Sequence, residues 1–331
     1  MHRVFVWLPP CMLAARLPKQ ECSKQDCSQQ DWAASHWPAD VSARLSAFRV
    51  SLLTLLSLVA FAGNSLLCRA ALAHTRIDPA SFTTIRLVAG ALTLWLLVAI
   101  QRKQAHAGGN WPSAIALLVY AAGFSFAYVS LSAATGALLL FAAVQASMIG
   151  YGLATGERLR VSQRLGLGLA AVGILILLLP GLSRPPLVGA FLMVAAGVAW
   201  GIYSLRGRGG GDPIRVNAGN FMRAAVLALV LSALLRQQIV LDWSGSSYAV
   251  LSGALTSAIG YAIWYSVLPH LQAVSAACVQ LSVPVIAAIG GITLLGESPG
   301  LRLVLSALAV LSGIAIVVFD KRVVRPRPSA E

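Results

Sequence analysis

The chain carries one pattern twice. Gly156-Glu157 closes one apolar hairpin and Gly296-Glu297 closes another, 140 residues later. At the same offset Gly173 meets Gly313, and Thr135-Gly136-Ala137 meets Ser275-Ala276-Ala277. Earlier in each copy the offset is 137, so that Arg69 meets Arg206, Arg86 meets Arg223, Gly123 meets Gly260 and Tyr128 meets Tyr265. Three extra residues before the second hairpin explain the change, and Pro269-His270-Leu271 can supply them. Each copy holds five apolar stretches close to the roughly 20 residues that a bilayer-spanning helix needs. Five is odd, so the second copy must enter the membrane upside down. The expected fold is an all-α polytopic membrane protein of ten transmembrane helices, arranged as two inverted five-helix repeats. Many secondary transporters are built on such repeats.

Composition agrees with a bilayer as solvent. The chain is 58% hydrophobic and only 11% charged, where a soluble domain carries about 25% charged residues. The net charge of +14 does not imply nucleic-acid binding, because the basic residues are scattered over loops instead of gathered on one face. They sort by side instead. The termini and even-numbered connections hold Arg44, Arg49, Arg102, Lys103, Arg158, Arg160, Arg164, Arg206, Arg208 and Arg215. The other side holds Arg69, Arg76, Arg184, Arg236 and Arg302. The positive-inside rule then places both termini in the cytoplasm. Arginine far outnumbers lysine, which fits a bacterial inner (plasma) membrane protein. Cys22 and Cys27 lie in a polar tract without further ligands at metal-binding spacing, while Cys68 and Cys278 sit in apolar helices as small hydrophobes. No metal and no cofactor are expected.

Helix ends are punctuated. Residues 1–47 lack sustained periodicity and are expected to form a disordered extension, ahead of a first repeat over 48–182, a second over 186–320 and a basic cytoplasmic tail over 321–331. Asp78-Pro79 and Asp212-Pro213 have the chemistry of a helix start, since Asp accepts from free N–H groups and Pro suits the first helical position. Ser298-Pro299 is expected to open the tenth helix in the same way, Ser162 to cap the fifth, and the eighth to begin near Tyr248.

A ten-helix chain with Gly-Glu at the end of the fourth helix of each half resembles the drug/metabolite transporter superfamily, and within it the EamA-like family. The segment Asp78-Pro79-Ala80-Ser81-Phe82-Thr83-Thr84-Ile85-Arg86 looks like that family's second-helix segment. The resemblance covers about Val50 to Lys321 and implies export of amino acids or related metabolites. The family often has a proline midway along the fourth helix of each half. Pro284 fits that place in the second copy, whereas Val144 occupies it in the first.

Polar residues at membrane depth are the substrate-cavity candidates: Asn64, Arg86, Tyr128, Gln145, Trp200, Tyr203, Arg223, Tyr261, Tyr265 and Gln280. Buried amides need partners in a medium without water, and such partners can be neighbouring helices as readily as substrate. Arg86 and Arg223 each cost at least ~2.5–3.5 kcal/mol at the bilayer centre. They can bind helix-end carbonyls or an anionic group of the substrate. Gly156, Glu157, Gly296 and Glu297 are read as a structural repeat motif, with the glutamates in caps or surface ion pairs.

The leading function is secondary transport, most simply export, of small organic metabolites such as amino acids, by alternating access through a central cavity. The partners are then a small-molecule metabolite and the lipid bilayer, with no nucleic acid; monomer and homodimer stay open. A non-transporting sensor or scaffold is the alternative. An enzyme is not expected, since no histidine pairs with an acid at catalytic or metal-binding spacing. Reporter fusions at Gly108 and Lys321 should both read cytoplasmic; a periplasmic signal at Lys321 would mean a miscounted helix.

Overall fold

Leucine, valine and tryptophan side chains cover the outside of the helix bundle, while its polar side chains are buried. Leu92, Trp95, Leu165, Phe191 and Leu234 are exposed, whereas Asn64, Arg86, Asn217 and Asn220 are buried. This inversion of a soluble protein follows from lipid as solvent: an apolar jacket costs nothing there, and a polar group must find its partner inside. The computed structural model describes residues 47–101, 108–154, 160–178, 185–207, 212–267, 270, 279–280 and 282–319. Residues 1–46 of the expected extension, Gly156, Glu157 and the basic tail lie outside the described residues.

Among the described residues ten long helical segments follow one another. They are α1 (Ala47–His74), α2 (Pro79–Ile100), α3 (Trp111–Tyr128), α4 (Ala133–Ala154) and α5 (Val161–Leu178), then α6 (Leu187–Arg206), α7 (Pro213–Leu234), α8 (Trp243–Val267), α9 (Ser282–Leu295) and α10 (Leu301–Phe319). Eight of them, α1 to α8, are long and apolar enough to cross a bilayer; α9 and α10 contribute the shorter apolar stretches Ser282–Leu295 and Leu301–Ile316.

The capping chemistry is explicit. Asp78 Oδ1 accepts from the Ala80 and Ser81 amides at 3.0 and 2.9 Å, and Asp212 Oδ1 from the Ile214 amide at 3.0 Å. Three expected boundaries shift. Asp242 accepts from the Gly245 amide at 3.0 Å, so α8 begins at Trp243, before Tyr248. Ser162 lies inside α5, whose start is instead held by the Gln163 side chain accepting from the Arg160 amide at 3.0 Å. Here the residue three places into the helix reaches back to the free donor. Ser298-Pro299 lies in the loop before α10, which starts at Leu301.

Many hydroxyls are satisfied within their own helix. Thr54, Ser57, Thr93, Ser125 and Thr293 each donate to the carbonyl four residues earlier, at 2.7–2.9 Å, a common resolution for Ser and Thr in apolar helices. In α8 the regular winding gives way to a π-helical segment, Ser252–Ile259. Wide turns of this kind often occur at functional sites. Gly253 in that segment lies so close to α2 that a Cβ there would collide with the Arg86 backbone.

The closely packed pairs are α5 with α10, α3 with α6, α1 with α8, α4 with α6, α1 with α9, α2 with α7, α2 with α8, α3 with α7, and α4 with α9. Small residues permit the tightest of these. A Cβ on Gly197 of α6 would stand 2.6 Å from both the Ala143 Cβ and the Leu140 carbonyl oxygen of α4. Between α5 and α10 the contacts are reciprocal: Gly173 faces Val310 and the Ser306 carbonyl, while Gly313 faces Ala170 and the Gly166 carbonyl. Gly173→Leu or Gly313→Leu should therefore lower stability by about 1–3 kcal/mol, the usual cost of overpacking. Gly168→Leu, with open space around it, should not. Thermal unfolding in detergent measures the difference, and equal melting of Gly168→Leu and Gly313→Leu would contradict the packing.

Candidate functional site

Side chains from α1, α3, α4, α6 and α8, together with Gln280 just before α9, enclose a cavity in the middle of the bundle. Its wall comprises Phe61, Asn64, Ser65, Tyr120, Phe124, Leu140, Phe141, Trp200, Tyr261 and Gln280. The free volume is about 30 Å³, room for one or two waters. In this conformation the cavity is too small for an organic molecule and must widen to hold one.

Aromatic rings form most of the wall and brace one another. Trp200 lies 4.8 Å from Tyr120 and 5.0 Å from Tyr261 between ring centroids, and Phe61 meets Tyr261 edge-on at 5.9 Å. Tyr120, Phe124 and Tyr128 follow at four-residue spacing along α3, with centroid separations of 5.5 and 4.7 Å. That spacing puts them on one helix face.

The polar part of the wall is a connected network. Asn64 Nδ2 donates to the Tyr120 hydroxyl at 3.3 Å, and Asn64 Oδ1 accepts from Ser252 at 2.7 Å and from Thr256 at 3.4 Å. Arg86 joins it from α2. Its Nη2 donates to the Tyr120 hydroxyl at 3.2 Å and its Nε to Ser257 Oγ at 3.3 Å. The guanidinium carbon lies 5.3 and 5.1 Å from the ring centroids of Tyr120 and Phe124. Ser252, Thr256 and Ser257 all belong to the π-helical segment of α8.

Of the ten cavity candidates in the sequence, Asn64, Trp200, Tyr261 and Gln280 line the cavity. Arg86 stands behind its Tyr120–Phe124 wall. Tyr128 packs behind Phe124 and donates to the Ala133 carbonyl at 3.4 Å. Tyr203 stacks on Trp200 and donates to Asn217, while Asn220 donates to its oxygen at 3.4 Å. Arg223 is held elsewhere, donating to the carbonyls of Gly108 and Gly219 at 3.0 and 2.9 Å. Gln145 is buried in α4 but is not in the wall, and Tyr265 lies near Gly207. Tyr120, Phe124, Phe61, Ser65, Leu140 and Phe141 are wall residues that sequence reasoning passed over. The four-residue spacing of Tyr120, Phe124 and Tyr128 was the available signal for two of them.

One end of the bundle is drawn together by a single carboxylate. Glu297 accepts from the Ala133 amide at the first turn of α4, through Oε1 at 3.0 Å and Oε2 at 2.9 Å. Arg69 of α1 pairs with the same group at 3.2 Å and also donates to the Tyr128 and Val129 carbonyls at 2.9 and 3.3 Å. The negative charge is well placed at a helix N-terminus. Gly296, with a φ of 66°, lets the chain turn sharply after α9 in the left-handed region that suits glycine. The Glu297 amide then donates back to the Gly291 carbonyl at 3.0 Å. Its repeat counterpart, Glu157, lies outside the described residues. Among the described residues, the remaining carboxylates, Asp78, Asp212 and Asp242, cap α2, α7 and α8.

A helical bundle with an apolar jacket, eight bilayer-length helices and a small aromatic and polar cavity at its centre is a multi-pass membrane protein. Known proteins narrow the class. Residues 187–319 match the EamA-like transporter family. An uncharacterized protein of Pseudomonas aeruginosa is 56% identical over 271 residues, covering 82% of this chain and 94% of that protein. YoaV of Bacillus subtilis, described as an uncharacterized transporter, is 24% identical over 258 residues, covering 73% and 88%. The threonine/homoserine exporter RhtA of Salmonella typhimurium is 27% identical over 154 residues, covering 45% of this chain and 50% of the exporter. A solved crystal structure with 18% identity aligns over 80% of this chain and 98% of its own, with a TM-score of 0.59, and so shares the fold. The chain belongs to the EamA-like transporter family, as the paired Gly-Glu ends implied.

Removing the Glu297 carboxylate leaves the Ala133 amide without its acceptor and takes the counter-charge from Arg69, which keeps only its two carbonyl partners. Glu297→Ala should cost about 1–3 kcal/mol, the penalty for partly buried groups left unpaired. Glu297→Gln should cost less, because an amide oxygen still accepts. Arg69→Ala combined with Glu297→Ala should fall short of additivity. Additive losses of melting temperature would show that the pair contributes nothing as a unit.

Proposed function

We propose that the chain is a secondary transporter that exports small organic metabolites, amino acids among them, by alternating access through the central cavity. The observation that carries this reading is the cavity itself, a small chamber of aromatic rings and a buried hydrogen-bond network in the middle of a bundle with an apolar exterior. Polar residues at that depth are expensive and usually mark a substrate path. The exporter named among the relatives handles threonine and homoserine, which supports the substrate class.

Two inverted five-helix repeats supply the machinery in this reading. Two regularities support them. The packed helix pairs largely map onto one another when each helix is exchanged for the one five places on: α3–α6 for α8–α1, α4–α6 for α9–α1, and α2–α8 for α7–α3. At the α5–α10 seam, Gly173 and Gly313 stand 140 residues apart, as do Ala170 and Val310, which they face in exchange. Such reciprocity is the mark of a two-fold contact. With both termini in the cytoplasm, the Arg69–Glu297–Ala133 clasp lies on the outer side and must open to release substrate outward. The Arg206 contacts with Ser113 and Asn110, at 3.2 and 3.4 Å, then close the inner side.

No described carboxylate lies inside a membrane-spanning helix, so transport is expected to run down the substrate gradient, or with a coupling that uses no midplane carboxylate. Purified protein in liposomes should give saturable flux of amino acids, unchanged in direction by an imposed pH gradient. Trp200→Ala should reduce it by about tenfold or more, comparable to the loss of a stacked aromatic contact. Absence of flux across a broad metabolite panel would reject transport. Uphill accumulation driven by a pH gradient, and abolished by Glu157→Gln or Glu297→Gln, would reject the uncoupled mechanism.

A further inference from the structure

Arg86 is a fully buried cation with no counter-charge among the described residues. The described carboxylates are all committed elsewhere: Asp78, Asp212 and Asp242 cap helices, and Glu297 holds Arg69. The guanidinium is also incompletely bonded. Nε is taken by Ser257 and Nη2 by the Tyr120 hydroxyl, but Nη1 is buried with no partner among the described residues. A charged donor left open at this depth costs several kcal/mol unless something occupies it.

The surroundings hold that charge in place without neutralising it. The rings of Tyr120 and Phe124 lie against the guanidinium, which stabilises a cation while adding no negative charge. Gly253 lets α8 approach the Arg86 backbone, and the π-helical turn around it presents Ser257 to Nε. Arg223, the repeat counterpart, shows the contrast: its Nη1 is occupied by two carbonyls. Arg86 is thus positioned with half of its planar fork free, and that fork matches a carboxylate edge to edge.

We infer that Arg86 is the docking point for the carboxylate of the transported molecule. The carboxylate takes Nη1 and Nη2 as a pair and displaces the Tyr120 hydroxyl, which remains within reach of Asn64. Tyr120 both lines the cavity and bonds the guanidinium, so its departure joins the Arg86 fork to the central chamber and enlarges it. The aromatic wall then receives the rest of the molecule. This assignment rests on the transporter reading and sharpens its substrate class: a free carboxylate is required, and an amide or ester of the same shape is refused.

Binding in detergent tests it without requiring transport. Thermal unfolding is followed with L-threonine, L-homoserine and L-phenylalanine at millimolar concentration, each beside its carboxamide, and with chloride titrated alone at constant osmolality. The acids should raise the melting temperature of the wild type, with midpoints about tenfold or more below those of the amides. Arg86→Lys should weaken the acids by about tenfold, Arg86→Gln should abolish their effect, and the lipid-facing Leu92→Ala should match wild type. Should Arg86→Gln not fold, the acid-against-amide comparison on wild type still decides. Equal binding of acids and amides, no response to any acid, or a full shift with chloride alone would overturn the assignment, the last by making Arg86 the seat of a resident inorganic ion. Binding of acids without flux in liposomes would sink the transporter reading and leave the Arg86 site standing; flux of amides as fast as acids would do the reverse.

Discussion

A bilayer offers no water to a stranded donor, and the arrangement of this chain follows from that. Each polar group at membrane depth has to be paired within the bundle or held where something else can pair it. Asn64 shows the first solution: its amide is matched by Tyr120, Ser252 and Thr256 from two other helices. Arg223 shows a second, a cation answered by backbone carbonyls at a helix end. The central chamber exists because such pairings converge from α1, α2, α3 and α8 on one region, while the leucine-rich faces of the same helices are free to meet lipid.

Much of the fold was legible in the sequence because bilayer-crossing helices are punctuated by a few strong chemical signals. Asp78-Pro79 and Asp212-Pro213 opened helices where expected, since an aspartate oxygen and a proline ring act within one turn. Ser298-Pro299 misled for the same reason. It carries the same letters, but Gly296 turns the chain and Glu297 is pulled back toward Gly291 and Ala133, so the helix waits until Leu301. Local chemistry proposes a start, and a tertiary contact a few residues away can move it.

The site was less legible. Arg86 and Arg223 stand at the repeat offset in the sequence, yet one keeps a buried Nη1 with no partner among the described residues and the other gives its Nη1 to a pair of carbonyls. Nothing in either local sequence separates them. The difference lies in what the opposite helices bring, above all the wide turn over Ser252–Ile259, whose winding has no counterpart in α3 and no clear sequence signature. Tyr120 was missed although its spacing from Phe124 and Tyr128 was visible. A tyrosine in an apolar helix is ordinary until its hydroxyl is seen to join an arginine and an asparagine.

The hydroxyls that bond to their own helix have a mechanical consequence. A threonine that donates to the carbonyl one turn back travels with its helix and grips no neighbour. Thr54, Ser57, Thr93 and Thr293 therefore leave the surfaces of α1, α2 and α9 smooth despite their polarity. Sliding one helix past another breaks none of these bonds, and resistance to motion is concentrated in a few cross-links such as Arg69–Glu297 and Tyr203–Asn217. The hydrogen bonds that any relative movement of the helices must exchange therefore belong to side chains that cross between them, Arg69, Thr84, Asn64 and Tyr203 among them, and not to these self-bonded hydroxyls.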